Sequence, residues 1–130
     1  MTTQIERFQT TSRMSKVVRA GGLLFLGGQT ANRSPSALED ITAQTNEVLS
    51  RIDALLESAG VGRSALVSAT IYLRDMRDFD GMNAAWEAWL PAGHAPARTT
   101  VQASMSSENL LVEMTVVAGA IGDGNQPTGE

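Results

Sequence analysis

Two charged residues lie inside apolar, strand-like segments near the end of the chain. Arg98 opens the segment that runs to Val101, and Glu113 lies in the middle of Leu110–Ala118, whose other residues are apolar except Thr115. Because an unpaired carboxylate is costly to bury, Glu113 should have a partner. A guanidinium that clamps a carboxylate, beside a carboxylate that transfers protons, would form a binding site for small organic acids with a catalytic group attached.

A structural ion pair is the alternative explanation of the same two residues. Arg98 and Glu113 are symmetric about Met105 and Ser106, so a tight hairpin there would place them directly opposite each other on adjacent strands. If the connection from Ser104 to Asn109 instead crosses over another strand, the two side chains meet only around a shared cleft. The spacing alone leaves a structural pair and a ligand site about equally supported, because both arrangements occur around buried charges.

Length, composition and charge limit the class of protein. The chain has 130 residues, so we expect a single domain over residues 1–121, followed by a polar, glycine-rich and disordered tail at 122–130. The net charge of −4 gives no basic surface for nucleic acid. There is no cysteine for a disulfide, a thiolate nucleophile or a metal ligand, and the single histidine, His94, is expected in a surface loop.

Targeting and cofactor signals are missing from the sequence. The first residues lack the pattern of a signal peptide. No apolar run approaches the roughly 20 residues of a membrane span. We therefore expect a cytoplasmic protein that needs no membrane, metal or organic cofactor.

The elements that must position the two charged residues follow from hydrophobic periodicity. A long amphipathic helix is predicted from Ile41 to Ala59, with Ser36 and Glu39 at the spacing of a capping box and Gly60 as its stop. Its opposite face, with Glu47, Arg51 and Glu57, is predicted to be solvated. A second helix is predicted to begin after Asp78, which can cap it, and its apolar stripe consists of Phe79, Met82, Trp86 and Trp89. Six strands are predicted, at Ile5–Thr10, Lys16–Ala20, Leu23–Leu26, Ala65–Leu73, Pro96–Val101 and Leu110–Ala118.

The resulting order is β-β-β-α-β-α-β-β, an α+β class with a mixed six-stranded sheet. Two helices can cover one face of such a sheet but not both. The strands, especially Leu110–Ala118, are nevertheless apolar nearly throughout. In Ala65–Leu73 the two faces are assigned as Val67, Ala69, Ile71 and Leu73 on one and Ser68, Thr70 and Tyr72 on the other. Since a sheet that is apolar on both faces must be covered on both, we predict that other subunits bury the second face.

Several segments together resemble the RidA/YjgF family of small trimeric proteins, closest to its YoaB-like subgroup. They are Ser15–Val18, Gly21–Gln29, Ala69–Met76 with Asp78, Phe79 and Asn83, Pro96–Arg98, and Val112–Met114. The resemblance implies a chorismate-mutase-like fold with both helices on one face, and a homotrimer with a barrel-like core. It also implies ligand sites in the clefts between subunits. The implied activity is hydrolysis of reactive, amino-acid-derived enamines and imines, such as 2-aminoacrylate, to 2-oxo acids and ammonia.

The resemblance implies roles for individual residues. Arg98 matches the family arginine that grips the substrate carboxylate, and Glu113 matches the glutamate near the attacking water. Gly28 falls in the segment whose backbone borders the pocket. Asn83 matches a helix asparagine near the site. The expected partners are therefore a small carboxylate-bearing substrate and further copies of this chain.

Three positions depart from the family pattern. Met14 replaces a tyrosine, Gly27 replaces a serine, and Thr100 replaces a frequent cysteine; we expect Met14 and Thr100 to line the binding site. These departures keep open a non-catalytic trimer that binds small carboxylates or amino-acid derivatives, which would need Arg98 but not Glu113. A chaperone-like role and RNA cleavage are further alternatives, and the negative net charge argues against RNA.

Overall fold

A computed structural model describes residues 4–120, so the predicted tail at 122–130 lies outside the described residues. Within 4–120 the order of strands and helices agrees with the prediction. The elements are β1 (Glu6–Thr10), β2 (Ser15–Ala20), β3 (Leu23–Leu26), α1 (Ile41–Ser58), β4 (Leu66–Leu73), α2 (Phe79–Trp89), β5 (Ala97–Gln102) and β6 (Val112–Gly119). No helix in this part of the chain is long and apolar enough to cross a membrane.

The six strands form one mixed sheet in the order β1-β2-β3-β6-β4-β5. β4 and β5 are parallel, and the other neighbouring pairs are antiparallel. Gly21 and Gly22 make the β2–β3 turn with positive φ angles of 59° and 82°, which glycine adopts without a steric penalty. The last strand of the chain therefore inserts into the middle of the sheet, between β3 and β4.

Both helices pack on the same face of the sheet, as predicted. The core between them contains Ile52 and Leu56 from α1, Met82 and Trp86 from α2, and the alternate residues of β6, which are buried while their neighbours are half-buried. This alternation is the expected pattern for a strand with one face on the core.

The other face of the sheet is left uncovered by residues 4–120. Phe25, Val67 and Val101 retain 43%, 49% and 41% of their accessible surface. The register places Glu113 and Tyr72 on this same face, directly paired across β6 and β4. Large apolar side chains exposed on one contiguous sheet face are typical of an interaction surface.

The start of α1 differs from the capping-box prediction. Ser36 and Glu39 belong to a 3₁₀ turn at Pro35–Leu38 and its C-terminal end. The helix is capped by Asp40, whose side chain accepts a hydrogen bond from the backbone N–H of Ala43 at 3.0 Å. Asp40 directly precedes the first helical residue, where a side chain can accept a hydrogen bond from the first turn. Its negative charge also interacts favourably with the helix dipole.

Two local predictions in the β4–α2 region also differ from the structure. A bulge between Leu66 and Ser68 turns Val67 to the uncovered side, so Leu66 rather than Val67 joins the core face. Asp78 occupies the N-cap position of α2, as predicted, but its side chain makes no capping hydrogen bond. The preceding Asp75 instead accepts a hydrogen bond from the N–H of Arg77 in a short 3₁₀ turn.

A polar network joins the two helices and thereby holds α2 in place. Arg63 donates two hydrogen bonds to the carboxylate of Asp53, at 2.9 and 2.8 Å, and a third to the carbonyl of Trp89 at 2.8 Å. The hydrogen bond to Asp53 raises the pKa of Arg63 above its usual value, although burial opposes this. Because the charged guanidinium is favoured in the folded state, its proton-linked contribution to stability is fully present below the ordinary arginine range, while the Asp53 carboxylate is ionised, and is lost as the pH rises above that range.

Gln44 fixes the long connection between β5 and β6. Its side chain is fully buried. The amide nitrogen lies within hydrogen-bond distance of three carbonyl oxygens, those of Ala37, Glu39 and Asn109, and the amide oxygen accepts from the N–H of Leu111 at 2.9 Å. This one side chain thus ties α1 to both the turn before it and the segment that leads into β6.

We expect Gln44→Leu to lower the free energy of unfolding by about 2–4 kcal/mol, because buried backbone groups lose their partner while the volume is kept. Asn46→Leu, on the exposed side of the same helix, is the control and should change stability by less than about 0.5 kcal/mol. Urea unfolding of the two variants measures the difference. Equal effects would show that the Gln44 network contributes nothing specific.

Candidate functional site

Arg98 is held on the helix face of the sheet. In β5 it pairs with Ala69 of β4. Its Nη1 donates to Oδ1 of Asn83 on α2 at 2.7 Å. Its guanidinium carbon lies 5.8 Å from the ring centroid of Phe79 and 5.9 Å from that of Trp86. The asparagine and the two rings therefore orient a half-buried guanidinium against α2.

The guanidinium of Arg98 retains donors for a ligand. It has five N–H groups, of which the bond to Asn83 uses one, and no carboxylate among residues 4–120 forms an ion pair with it. Thr100 lies two residues further on the same face, and its buried Oγ1 has no hydrogen-bond partner within that range. We call Arg98, Asn83 and Thr100 the arginine half-site; its chemistry suits a carboxylate.

Glu113 lies on the uncovered face of the sheet and contacts Gly28. A Cβ atom built on Gly28 would overlap the carboxylate of Glu113 and lie 3.1 Å from its carboxyl carbon. Mutual backbone hydrogen bonds between Gln29 and Met114, at 2.9 and 3.0 Å, hold the Gly28 segment beside β6. Glycine is therefore needed at position 28 for the carboxylate to reach its observed place.

Met14 contacts the same segment through Gly27. A Cβ atom at Gly27 would lie 2.9 Å from the terminal methyl of Met14 and 3.3 Å from the carbonyl oxygen of Ser15. Met14 and Gly28 also line a surface depression of about 370 Å³. We call Glu113, Gly28 and Met14 the glutamate half-site; it offers one carboxylate, an exposed backbone and an apolar wall.

The two half-sites do not meet within one subunit. Directly paired residues share a sheet face, and the register places Arg98 with Ala69 on the helix face and Glu113 with Tyr72 on the uncovered face. β4 lies between β5 and β6, so the connection between these two strands crosses over β4. The predicted alternative of a tight hairpin, which would have paired Arg98 with Glu113, is therefore wrong. A structural ion pair between them is thereby excluded within the chain.

Other residues singled out in the sequence lie elsewhere. His94 is exposed in the loop before β5, and its Nδ1 lies 2.9 Å from the carbonyl oxygen of Ala92. Trp86 and Trp89 are buried core residues, as expected. No group of three or more His, Cys, Asp or Glu residues within the described chain is arranged to hold a metal ion.

Arg51 was assigned to a solvated face but has a structural role. Its guanidinium donates to the carbonyls of Thr30 and Asn32, to the side chain of Asn32, and to Glu47. It thus fixes the loop that follows Gly28 against α1. The four-residue spacing of Glu47 and Arg51 predicts an ion pair between them on the helix surface. It does not predict the hydrogen bonds from Arg51 to the loop, because the loop residues are distant in sequence.

The contact between Met14 and position 27 links two of the departures from the family pattern. We expect Gly27→Ser to displace the Met14 methyl with a loss of less than about 1–2 kcal/mol in stability, since the end of a methionine side chain moves easily. The methyl resonance of Met14 in ¹³C-methionine NMR spectra should shift. Gly62→Ser, which meets no atom within 4 Å, is the control; an unmoved Met14 resonance in Gly27→Ser would contradict the contact.

Comparison with known proteins shows which family shares this sequence and fold. The sequence model of the family described as Endoribonuclease L-PSP matches residues 4–120. The RutC family protein YoaB of Escherichia coli is 42% identical over 114 residues, which cover 88% of this chain and 96% of that protein. The chain belongs to the RutC/YjgF (RidA) family.

Solved structures of the RutC/YjgF family agree with the fold. A YjgF-family protein from Neisseria meningitidis superimposes with a TM-score of 0.84 at 38% identity, covering 90% of this chain and 95% of its own. The Rid-family protein YyfA from Yersinia pestis gives a TM-score of 0.77 at 30% identity, over 85% of this chain and 90% of its own. These similarities confirm the family and the α+β fold that the sequence resemblance implied.

Proposed function

We propose that the chain is an enamine/imine deaminase whose site forms between subunits, from the arginine half-site of one and the glutamate half-site of its neighbour. The observation that carries the proposal is the state of Arg98. A guanidinium oriented by Asn83 and two aromatic rings, with no carboxylate partner in the described chain, suits bidentate capture of a small carboxylate.

A homotrimer, which is typical of the family, would bring the half-sites together. In one subunit they lie on opposite faces of the sheet. The face that carries Glu113 is also the uncovered one, with Phe25, Val67 and Val101 exposed. Packing these faces around a common axis would bury the apolar side chains and complete each site with a neighbour's arginine.

The proposed reaction hydrolyses a 2-imino acid. Arg98 holds the carboxylate and so fixes the imine carbon, with Thr100 Oγ1 as a further hydrogen-bonding group. The imine nitrogen takes a proton from solvent. Glu113 orients a water and takes its proton as the oxygen bonds to the imine carbon, and the C=N π pair moves to nitrogen to give a neutral amine. Glu113 then returns its proton to that amine, ammonia leaves with the C–N bonding pair, and the hydroxyl releases its proton to solvent as the carbonyl forms. The products are a 2-oxo acid and ammonia.

This chemistry needs a positioned carboxylate and no metal or organic cofactor. A general base of this kind contributes about 10²–10⁴-fold. Enamines enter the same sequence after protonation at carbon gives the imine. Because such imines form from amino acids, the proposal includes the cytoplasmic location that the sequence predicts.

Two other functions are distinguished by the same assay. A non-catalytic trimer would bind small carboxylates through Arg98 without using Glu113; it is favoured by Met14 and Gly27, which leave the glutamate half-site poorer in polar groups than the family pattern. The family description names an endoribonuclease. The net charge of −4 and a single histidine, which is exposed in a loop, support imine hydrolysis over RNA cleavage.

The test is release of 2-oxo acid and ammonia from freshly generated 2-iminopropionate and bulkier 2-imino acids. We expect acceleration above the spontaneous rate by the wild-type protein. Single-stranded RNA incubated with the same preparation should remain intact. A folded oligomer that accelerates none of the imines would contradict the proposal, and binding of a 2-oxo acid without turnover would then support the carboxylate binder.

A further inference from the structure

The depression beside the glutamate half-site has a cationic lining. Besides Met14 and Gly28, the residues Lys16, Arg33 and Arg51 line its volume of about 370 Å³, and no acidic residue does. It adjoins a second depression of about 270 Å³, which shares Lys16 and Arg51 and extends along α1. Gly28, which Glu113 contacts, thus borders a positively charged cleft formed by the two depressions.

Arg51 builds the loop on one side of this cleft and has little capacity left for a ligand. It donates to the carbonyl of Thr30 at 2.9 Å, and to the side chain and carbonyl of Asn32 at 2.8 and 2.7 Å. It also forms an ion pair with Glu47 at 2.9 Å. Its role is to hold the residues that immediately precede Arg33.

Arg33 is held in a backbone conformation that arginine rarely adopts. Its φ is +61°, in the left-handed region. Such strain costs about 1–3 kcal/mol and persists only where the surroundings impose it. The hydrogen bonds from Arg51 to Thr30 and Asn32 supply that constraint, and the outcome is a second exposed cation lining the same depression as Lys16.

Neither Lys16 nor Arg33 forms an ion pair with another residue in 4–120. By contrast, Arg51 and Arg63 each have a carboxylate partner. Two unneutralised cations in one depression, with no acid lining it, produce a positive potential that an anionic group would relieve. A ligand whose reacting carbon lies at Glu113 would direct its distal end toward them.

We infer that the preferred substrates carry a second anionic group, bound by Lys16 and Arg33, in addition to the carboxylate held by Arg98. The class is 2-imino acids with an acidic side chain, such as those derived from glutamate or aspartate. This inference rests on the proposed function, because the reacting carbon and the first carboxylate are placed by Glu113 and Arg98. Met14 then packs against the methylene groups between the two carboxylates.

Direct binding tests the inference apart from catalysis. Isothermal titration calorimetry compares 2-oxoglutarate with 2-oxoglutaramate, which has nearly the same shape but a neutral distal amide. We expect wild type to bind 2-oxoglutarate about tenfold more tightly, the effect of one charge-assisted hydrogen bond of about 1.5 kcal/mol. The Lys16→Met/Arg33→Asn variant should lose this difference; asparagine tolerates a positive φ. Arg77→Asn, at an exposed arginine outside the cleft, is the control.

The outcomes separate the two proposals. A tenfold preference abolished only in the double variant supports the second anion site even if no imine is hydrolysed. Equal affinity of wild type for both ligands, no binding of either, or a preference that survives in the double variant overturns it. Hydrolysis of acidic and neutral imino acids at equal kcat/KM would also overturn it while leaving the deaminase proposal intact.

Discussion

Replacing Arg98 by alanine is expected to lower kcat/KM for 2-imino acids by about 100- to 1000-fold. The change removes a bidentate, charge-assisted contact to the substrate carboxylate, and such hydrogen bonds contribute about 1.5–3 kcal/mol each. Steady-state release of 2-oxo acid measures the loss. Most of the effect should appear in KM, because the carboxylate is held in the ground state as well as in the transition state.

The matched control for this prediction is Arg77→Ala, which removes the same charge from a side chain that is 80% exposed. Arg98→Lys should recover only part of the activity, since an ammonium group cannot form the planar, two-pronged contact or stack on Phe79 and Trp86. If Arg98→Ala kept more than about half of the wild-type kcat/KM in a folded oligomer, the substrate carboxylate would have to be held elsewhere.

Glu113→Gln is expected to lower kcat by about 10²–10⁴-fold while KM stays within a factor of two or three. The amide keeps the size of the side chain and its place against Gly28 but cannot accept the proton of the attacking water. Thermal unfolding should show a folded protein, and calorimetry with a 2-oxo acid should show retained binding. This combination separates a general base from a residue that serves only structure.

Gly28→Ala gives a second test of the same carboxylate. A methyl group at position 28 would overlap the Glu113 side chain, so Glu113 must move and kcat should fall although no catalytic group is removed.

The carboxylate-binder interpretation makes the opposite prediction for Glu113→Gln, namely a small change in stability and none in function. Unchanged turnover in both variants would leave Arg98 as a binding residue without a general base.

The local elements of the fold could be predicted from the sequence, whereas the strand order could not. The two-residue and 3.6-residue periodicities defined the strands and helices. The insertion of β6 between β3 and β4 depends on contacts between residues far apart in the chain, which a pattern within one segment does not encode. The position of Arg98 and Glu113 on opposite faces follows from that insertion together with the register of β5 and β6 on β4.

Local errors had specific physical causes. The bulge at Leu66 and Ser68 reverses the alternation at the start of β4, so Val67 was placed on the wrong face. Asp40, rather than Ser36, caps α1 because it directly precedes the first helical residue. Gln44 could have been found, because it lies three residues after Ile41 and four before Val48, on the apolar stripe where an amide needs several buried partners.

Sequence patterns identified the residues of the half-sites but not their assembly. Arg98 and Glu113 were recognised as unusual charges, and Gly28 and Met14 through the family resemblance. The sequence did not reveal that β4 separates the two charged residues, or that Met14 lies against Gly27, since both facts depend on tertiary packing. The proposed site therefore requires a neighbouring subunit, and this requirement is the central claim of the proposed function.

Complementation between two inactive variants tests that claim most directly. Arg98→Ala and Glu113→Gln are unfolded together in equal amounts, refolded, and assayed for 2-oxo acid release, with each variant refolded alone as the control. A site shared between neighbours is intact in one of four random pairings, so activity should return to about a quarter of the refolded wild type. Activity no higher than that of the separate variants, in mixed oligomers of confirmed composition, would show that both residues act within one subunit or that they do not share a site.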